Sequence, residues 1–188
     1  MKVKVVNLLK WRLYWIEVFV KFLFLLAMLI LLPKLTTMTR TTAETHYRKL
    51  ERMYLDGANI NSSFYETTSL NIKKESAIIT LEVSPKYFHA LGAMHGSVYF
   101  KVLDDAAFFA VNSIVMDAFV LTTNYNINIV RPISKGLIKA VGTVKFASRN
   151  LWIAESTLFD EKERVIAFGT GHFAKSRVAL TEEIGYKL

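Results

Sequence analysis

One stretch of this 188-residue chain restricts its fold more than any other. From His95 to Val115 the sequence reads HGSVYFKVLDDAAFFAVNSIV, twenty-one residues whose only charges are Lys101, Asp104 and Asp105. The run is too long for a strand, and its all-round apolarity predicts a buried helix rather than an amphipathic surface helix. It is too polar to be a membrane span. A helix buried all round must be covered, so the remainder of the domain has to enclose it.

The remainder reads mainly as strands. Four strand-like runs follow the helix: Phe119–Val130, Leu137–Ser148, Leu151–Asp160 and Val165–Ala174. The breaks between them are short and turn-like, which makes neighbouring strands antiparallel. Upstream, Ala77–Val83 reads as a strand ended by Ser84-Pro85, and a shorter strand is expected within Phe64–Ile72. Thr39–Tyr54 is rich in helix formers, with Leu50, Met53 and Tyr54 on one face, and Asp56-Gly57 ends it. One long helix on an antiparallel sheet of five to six strands is an α+β layer architecture. Four divisions follow: an apolar segment at 1–37, a helical lead-in at 38–58, the enclosing domain at 59–176 and a polar tail at 177–188.

Composition removes several kinds of function. With no cysteine, the chain has no disulfide, thiolate metal site or cysteine nucleophile. His46, His89, His95 and His172 lack metal-ligand spacing, so no metal is expected. The net charge of +8 is concentrated at the front: residues 1–37 carry six basic residues and one acid, leaving the rest at +3. No clustered stripe of Lys and Arg with interleaved aromatics is present, so nucleic acid is not an expected partner. A mild positive excess suits a phosphate-bearing ligand.

Residues 13–32 form an apolar run of bilayer-spanning length, interrupted by Glu17 and Lys21, which can pair four residues apart. Three readings compete for residues 1–37: an uncleaved anchor, a cleaved signal peptide, and a misassigned start with translation beginning at Met38. The expected location is the cytoplasm, with membrane association through residues 13–32 as the alternative.

The start of the buried helix carries the chemistry. A helix N-terminus presents free N–H groups and a partial positive charge, and a glycine there lets a ligand come close to the backbone. The Gly96 N–H, aimed at a reacting carbonyl, would stabilise the oxyanion formed on attack. A carboxylate on a buried helix is costly unless it is used or paired, and desolvation improves it as a base. Asp104 is the candidate, either as general base or as a nucleophile that forms an anhydride. Nine residues separate it from His95, which along a helix is about 13.5 Å and 2.5 turns. Gly96 and Asp104 can therefore meet only if two subunits contribute one each, with their helices antiparallel across a two-fold axis.

The stretch His89-Ala90-Leu91-Gly92-Ala93-Met94-His95-Gly96-Ser97, with Asp104 nine residues after His95, resembles the hot-dog acyl-CoA thioesterases of the phenylacetate-degradation type, relatives of 4-hydroxybenzoyl-CoA thioesterase. Their signature reads Asn-x-x-Gly-x-x-His-Gly-Gly followed by a carboxylate nine residues after the His. The resemblance continues through Asp104–Ser113 and Thr122–Pro132 and covers roughly residues 55–175. It implies a hot-dog fold, a sheet wrapped round a central helix. It also implies hydrolysis of an acyl-CoA or acyl-carrier-protein thioester by a homodimer, often paired into a tetramer. Coenzyme A would be part of the substrate, and no separate cofactor is implied. Two positions depart from the pattern: Ser97 replaces the second glycine, and His89 replaces the asparagine that orients water or thioester.

Other residues carry two readings each. His95 either braces the helix start, as its family role implies, or acts as a base. His89 is a site donor or an exposed loop residue. Thr122 stands where the family often has a hydroxyl bonded to the water or the carboxylate, and is otherwise an ordinary strand residue. Asp104 could pair with Lys101, although Asp105 is the better-spaced partner. Arg131, Lys175 and Arg177 either contact coenzyme A phosphates or are solvated surface charges. Gly169 and Gly171 are expected to mark a bulge. The rival function is a non-hydrolytic hot-dog module that binds an acyl thioester or lipid, favoured by His89 and the apolar front segment. A hot-dog dehydratase would need its histidine and carboxylate arranged differently.

Overall fold

The computed structural model describes residues 17–29 and 42–188. The chain divides into two compact units, 1–42 and 43–188. In the first, residues 17–29 form a helix in which Lys21 Nζ pairs with a Glu17 carboxylate oxygen at 2.7 Å. Among the described residues no helix is long and apolar enough to cross a membrane. The ends of the 13–32 run, and Met38, lie outside the described residues.

At the start of the second unit, residues 42–52 form helix α1, its first residue belonging to the first unit, and α1 runs into a π-helical turn at Met53–Gly57. A one-turn helix α2 (Asn59–Ser63) follows. Strands β1 (Ser69–Lys73) and β2 (Ser76–Glu82) precede the long helix α3 (Gly96–Asn112). After it come β3 (Ala118–Ile129), β4 (Leu137–Ala147), β5 (Leu151–Phe159) and β6 (Val165–Ala179). The last strand continues well beyond the apolar run Val165–Ala174. All six strands form one antiparallel sheet in the order β1-β2-β4-β5-β6-β3. This is the hot-dog fold, with the sheet curled round α3.

Period-two burial makes the sheet. In β2 and β5 alternate residues are buried, and Ile79, Leu81, Ala154 and Leu158 face the helix. The helix answers with small residues: Ala106, Ala107 and Ala110 are fully buried. They let it sit on β4 so closely that a Cβ at Gly142 would stand 2.1 Å from the Ala106 carbonyl oxygen. Any side chain there would push helix from sheet.

The helix ends follow from caps. His95 is the N-cap, its Nδ1 accepting from the Ser97 N–H at 3.1 Å. At the other end the Asn112 amide donates to the Val115 carbonyl at 2.8 Å, turning the chain toward β3. Residues 113–115 therefore leave the helix although their apolarity continues it.

The expected bulge at Gly169 and Gly171 is not there. Both pair in regular register with β3 and β5, and the irregularity lies on β3 between Thr122 and Asn124. The glycines instead make room for the Tyr125 ring: a Cβ at Gly169 would meet Tyr125 Cε1 at 2.5 Å, and one at Gly171 would meet its Cδ2 at 2.7 Å. Tyr125 lies flat across β6, and its hydroxyl bonds the buried Ser156 on β5.

Candidate active site

Asp104 projects from the middle of α3 toward β3, half-buried. The Thr122 hydroxyl donates to it, at 3.0 Å to Oδ1 and 3.3 Å to Oδ2. The β3 irregularity explains why this hydroxyl faces the helix. Thr123 is the extra residue, so Thr122 and Tyr125 both turn to the α3 side, where strict alternation would separate them. Burial raises the Asp104 carboxyl to about 6; the Thr122 hydrogen bond opposes the rise, and Asp105 adds to it. The result is a carboxylate poised to exchange a proton near neutrality.

Asp105, one residue on, has different surroundings. It forms an ion pair with Lys101 and accepts from the Tyr54 hydroxyl at 2.5 Å. Lys101 Nζ also lies 4.9 Å from the Tyr54 ring centroid and 5.2 Å from that of Tyr65. Burial pushes the Asp105 carboxyl up while the ammonium and the phenol hold it down. Lys101 thus takes Asp105 as its partner, and Asp104 keeps only a neutral hydroxyl.

The other site candidates lie elsewhere. Gly96 opens α3, eight residues and about 12 Å of helix from Asp104. A Cβ there would be 3.4 Å from Ile129 Cδ1, so the start of α3 lies beside the end of β3. The His95 ring is occupied as a cap, its Nδ1 also 2.8 Å from the Ser97 hydroxyl. His89 Nδ1 accepts from the Leu91 N–H at 3.1 Å in the tight turn at Gly92. Arg131 is exposed and donates from Nε to the Val165 carbonyl at 3.1 Å. Lys175 pairs with Asp117 at 2.5 Å, and Arg177 is exposed further along β6. Lys175 stands opposite Val120, so roughly 30 Å of β3 separates it from Arg131 within one chain. One chain therefore brings together Asp104 and Thr122, and none of the remaining candidates. Among the described residues no group of His, Asp and Glu is placed to hold a metal ion.

Asp104 and Thr122 line a cavity of about 650 Å³. Phe108, Phe109 and Phe119 line its inner side, and Met53, Ile60 and Ile184 its outer side. Tyr54, Lys101 and Asp105 form the one polar stretch of wall besides Asp104 and Thr122 that holds ionisable groups. Sequence reasoning missed Tyr54 and Ile184 as site residues. In the sequence Tyr54 is visible only as one apolar-face residue of the helical stretch Thr39–Tyr54, and nothing local marks Ile184. Tyr125 was also missed; burial pushes its phenol up to about 12, with Asp104 adding to the rise.

A six-stranded sheet curled round one helix defines a hot-dog domain, here with a perturbed carboxylate in the wall of an apolar cavity. Residues 91–167 match the model of the thioesterase superfamily. A Mycobacterium tuberculosis protein named "Putative esterase Rv1847" is 32% identical over 101 residues, spanning 50% of this chain and 71% of that one. The chain belongs to the thioesterase superfamily. Its fold is shared with the Escherichia coli PaaI protein from the phenylacetic acid degradation operon, at 16% identity and a TM-score of 0.65, covering 74% of this chain and 99% of that one. It is shared also with the thioesterase HI1161 of Haemophilus influenzae, at 14% identity and a TM-score of 0.59, covering 65% and 85% of the two chains. Membership and the mycobacterial relative support thioester hydrolysis as the general chemistry.

Proposed function

We propose that this chain hydrolyses acyl-CoA or acyl-carrier-protein thioesters to free acid and thiol, in the manner of the phenylacetate-degradation type, with each site shared by two subunits. The observation that carries this reading is Asp104: a carboxylate with no ion-pair partner of its own, raised to about 6 by burial, in the wall of an apolar cavity. As general base it takes a proton from water, which attacks the thioester carbonyl. The Gly96 N–H of a second copy holds the resulting oxyanion. The tetrahedral intermediate then expels the thiolate, which takes up the proton held by Asp104 as the acid leaves. The alternative is direct attack by Asp104, giving an anhydride that water cleaves.

Strand β3 supports the shared site. It is twelve residues long, lies at the edge of the sheet, and exposes Leu121 and Ile129. A long edge strand of this kind is a template for pairing with another chain. Thr122 marks the Asp104 end of β3, and Ile129 marks the Gly96 end. If β3 pairs antiparallel with its own copy and sets Thr122 opposite Ile129, Asp104 of each subunit approaches Gly96 of the other. The same register brings Arg131 of one copy toward Lys175 of the other, where the pair could bind coenzyme A phosphates. In this reading dimers pair further into tetramers, as the family resemblance implies, and an acyl-CoA substrate puts the reaction in the cytoplasm.

The test is thiol release from a panel of acyl-CoA and acyl-carrier-protein thioesters by the purified full-length chain. Two inactive variants then probe sharing. Asp104→Asn removes the base, and Gly96→Pro removes the N–H at the first helical position, where proline suits the backbone. His95 already has φ −67° and ψ 144°, which a following proline accepts. Mixing the two with subunit exchange should restore roughly a quarter of wild-type turnover, because each mixed dimer regains one complete site. No recovery, with exchange demonstrated, would refute sharing. Saturable binding with no thiol release across the panel would favour the non-hydrolytic module.

A further inference from the structure

The cavity beside Asp104 has an outer wall that the hot-dog core does not supply. The family match covers residues 91–167, whereas Met53, Ile60, Val178 and Ile184 on that wall lie outside it. Met53, Ile60 and Ile184 belong to the lead-in before the sheet and to the chain after it, and Val178 to the end of β6. Two independent contacts hold these segments together. Gly185, in the left-handed region at φ 88°, packs on Gly57: a Cβ on Gly185 would stand 3.4 Å from the Gly57 Cα. The buried His46 on α1 bonds the Tyr186 hydroxyl through Nδ1 at 2.6 Å and the Asn112 carbonyl through Nε2 at 2.8 Å. Lys49 Nζ adds a contact 5.2 Å from the centre of the Tyr186 ring. Ile184, between the turn at Thr181 and Gly185, is thereby fixed against the cavity.

The cavity also has a direction. Phe108 is one helical turn beyond Asp104, and Phe119 lies three residues before Thr122 on β3. Both elements therefore carry the cavity away from the Gly96 end of the site. A thioester held at Asp104 leaves its thiol side toward the subunit boundary and its acyl side toward Phe108, Phe119 and Ile184. Ile60, Leu121 and Val178 are each more than half exposed yet line this space, as a rim would that waits for an apolar occupant.

We propose that the paired lead-in and tail segments form a gauge that admits a straight-chain aliphatic acyl group and limits its length, with Ile184 fixing the depth. The proposal rests on the thioesterase reading for the identity of the ligand, but the gauge acts on binding and can be read without turnover. Each methylene that enters apolar protein should strengthen binding about fourfold until the cavity is full. Beyond that length added carbons should contribute nothing or weaken binding.

The experiment titrates the full-length chain with non-hydrolysable S-alkyl-CoA thioethers of increasing length by calorimetry, alongside Ile184→Trp and Ile184→Ala. Wild type should show the rise and then a break. Ile184→Trp should move the break to shorter chains, and Ile184→Ala, which only removes atoms, should move it to longer ones. An affinity that ignores chain length in wild type would overturn the proposal. So would a break at the same length in the wild type and the alanine variant, whether or not the tryptophan variant folds. If the series behaves as expected while the corresponding thioesters are not cleaved, the gauge stands and the hydrolytic reading falls.

Discussion

Two faces of α3, one residue apart in sequence, treat the same side chain in opposite ways. On the face toward β3, Asp104 meets a threonine hydroxyl. On the face toward α1 and the turn after it, Asp105 meets the Lys101 ammonium and the Tyr54 phenol. Burial penalises both carboxylates, but Lys101 contacts Asp105 directly and acts on Asp104 only from a distance, as the smallest of the influences on it. The difference shows that sequence proximity says little about role. A buried acid that is fully paired holds structure, and one left without a cation is strained toward reaction.

The comparison breaks most readily at the chemistry. Asp104→Asn is expected to lower kcat/KM by roughly 10²–10⁴-fold, the usual worth of a positioned base, while the protein remains folded by circular dichroism. Asp105→Asn should do the reverse. It strands the Lys101 ammonium among aromatic rings and should cost about 2 kcal/mol of unfolding free energy, read by urea denaturation, with a smaller effect on turnover. If the two variants exchange these phenotypes, the roles assigned to the two faces are wrong.

A second contrast is in pH. If Asp104 must be ionised to act, kcat/KM should climb tenfold per unit below about 6 and level off above it. The Thr122 hydrogen bond lowers the Asp104 pKa, so Thr122→Ala should move that midpoint upward by about one unit. The loss would be about fivefold at pH 6 and small above pH 8. A midpoint that stays in place when the hydroxyl is removed would separate Thr122 from the group that sets the profile.

Much of this arrangement was legible before any coordinates. The length and apolarity of His95–Val115 forced a buried helix, and short breaks between the later strands forced antiparallel pairing. The i, i+4 spacing of Lys101 and Asp105 already singled out Asp104 as the acid without a cation. The cavity was not legible. Its outer wall depends on contacts such as His46 with Tyr186, 140 residues apart, and the polar stretch carrying Tyr186 gives no local sign of packing. Gly169 and Gly171 were misread because their reason lies on another strand. They accommodate the Tyr125 ring, and a period-two pattern on β6 cannot reveal a neighbour's side chain.

The smallest expected effect is on stability, and its sign runs opposite to that of activity. Folding raises Asp104 from 3.8 to about 6, so the folded chain holds this proton more tightly than the unfolded one. Below the lower value both states are protonated, and the full contribution to stability is present. As pH rises toward about 6, the unfolded state has already released the proton while the folded state still carries it, so stability falls, and above that value it is level. Asparagine has no proton to lose and can still accept from Thr122. Asp104→Asn should therefore be more stable than wild type by about 1–2 kcal/mol at pH 7.5, a figure kept below the full shift because the carboxyl is only half-buried. The advantage should vanish near pH 3.5. Paired urea titrations at the two pH values decide it: a variant less stable than wild type at pH 7.5 would mean that this carboxylate is held by favourable contacts after all, and the case for a strained, reactive acid would go with it.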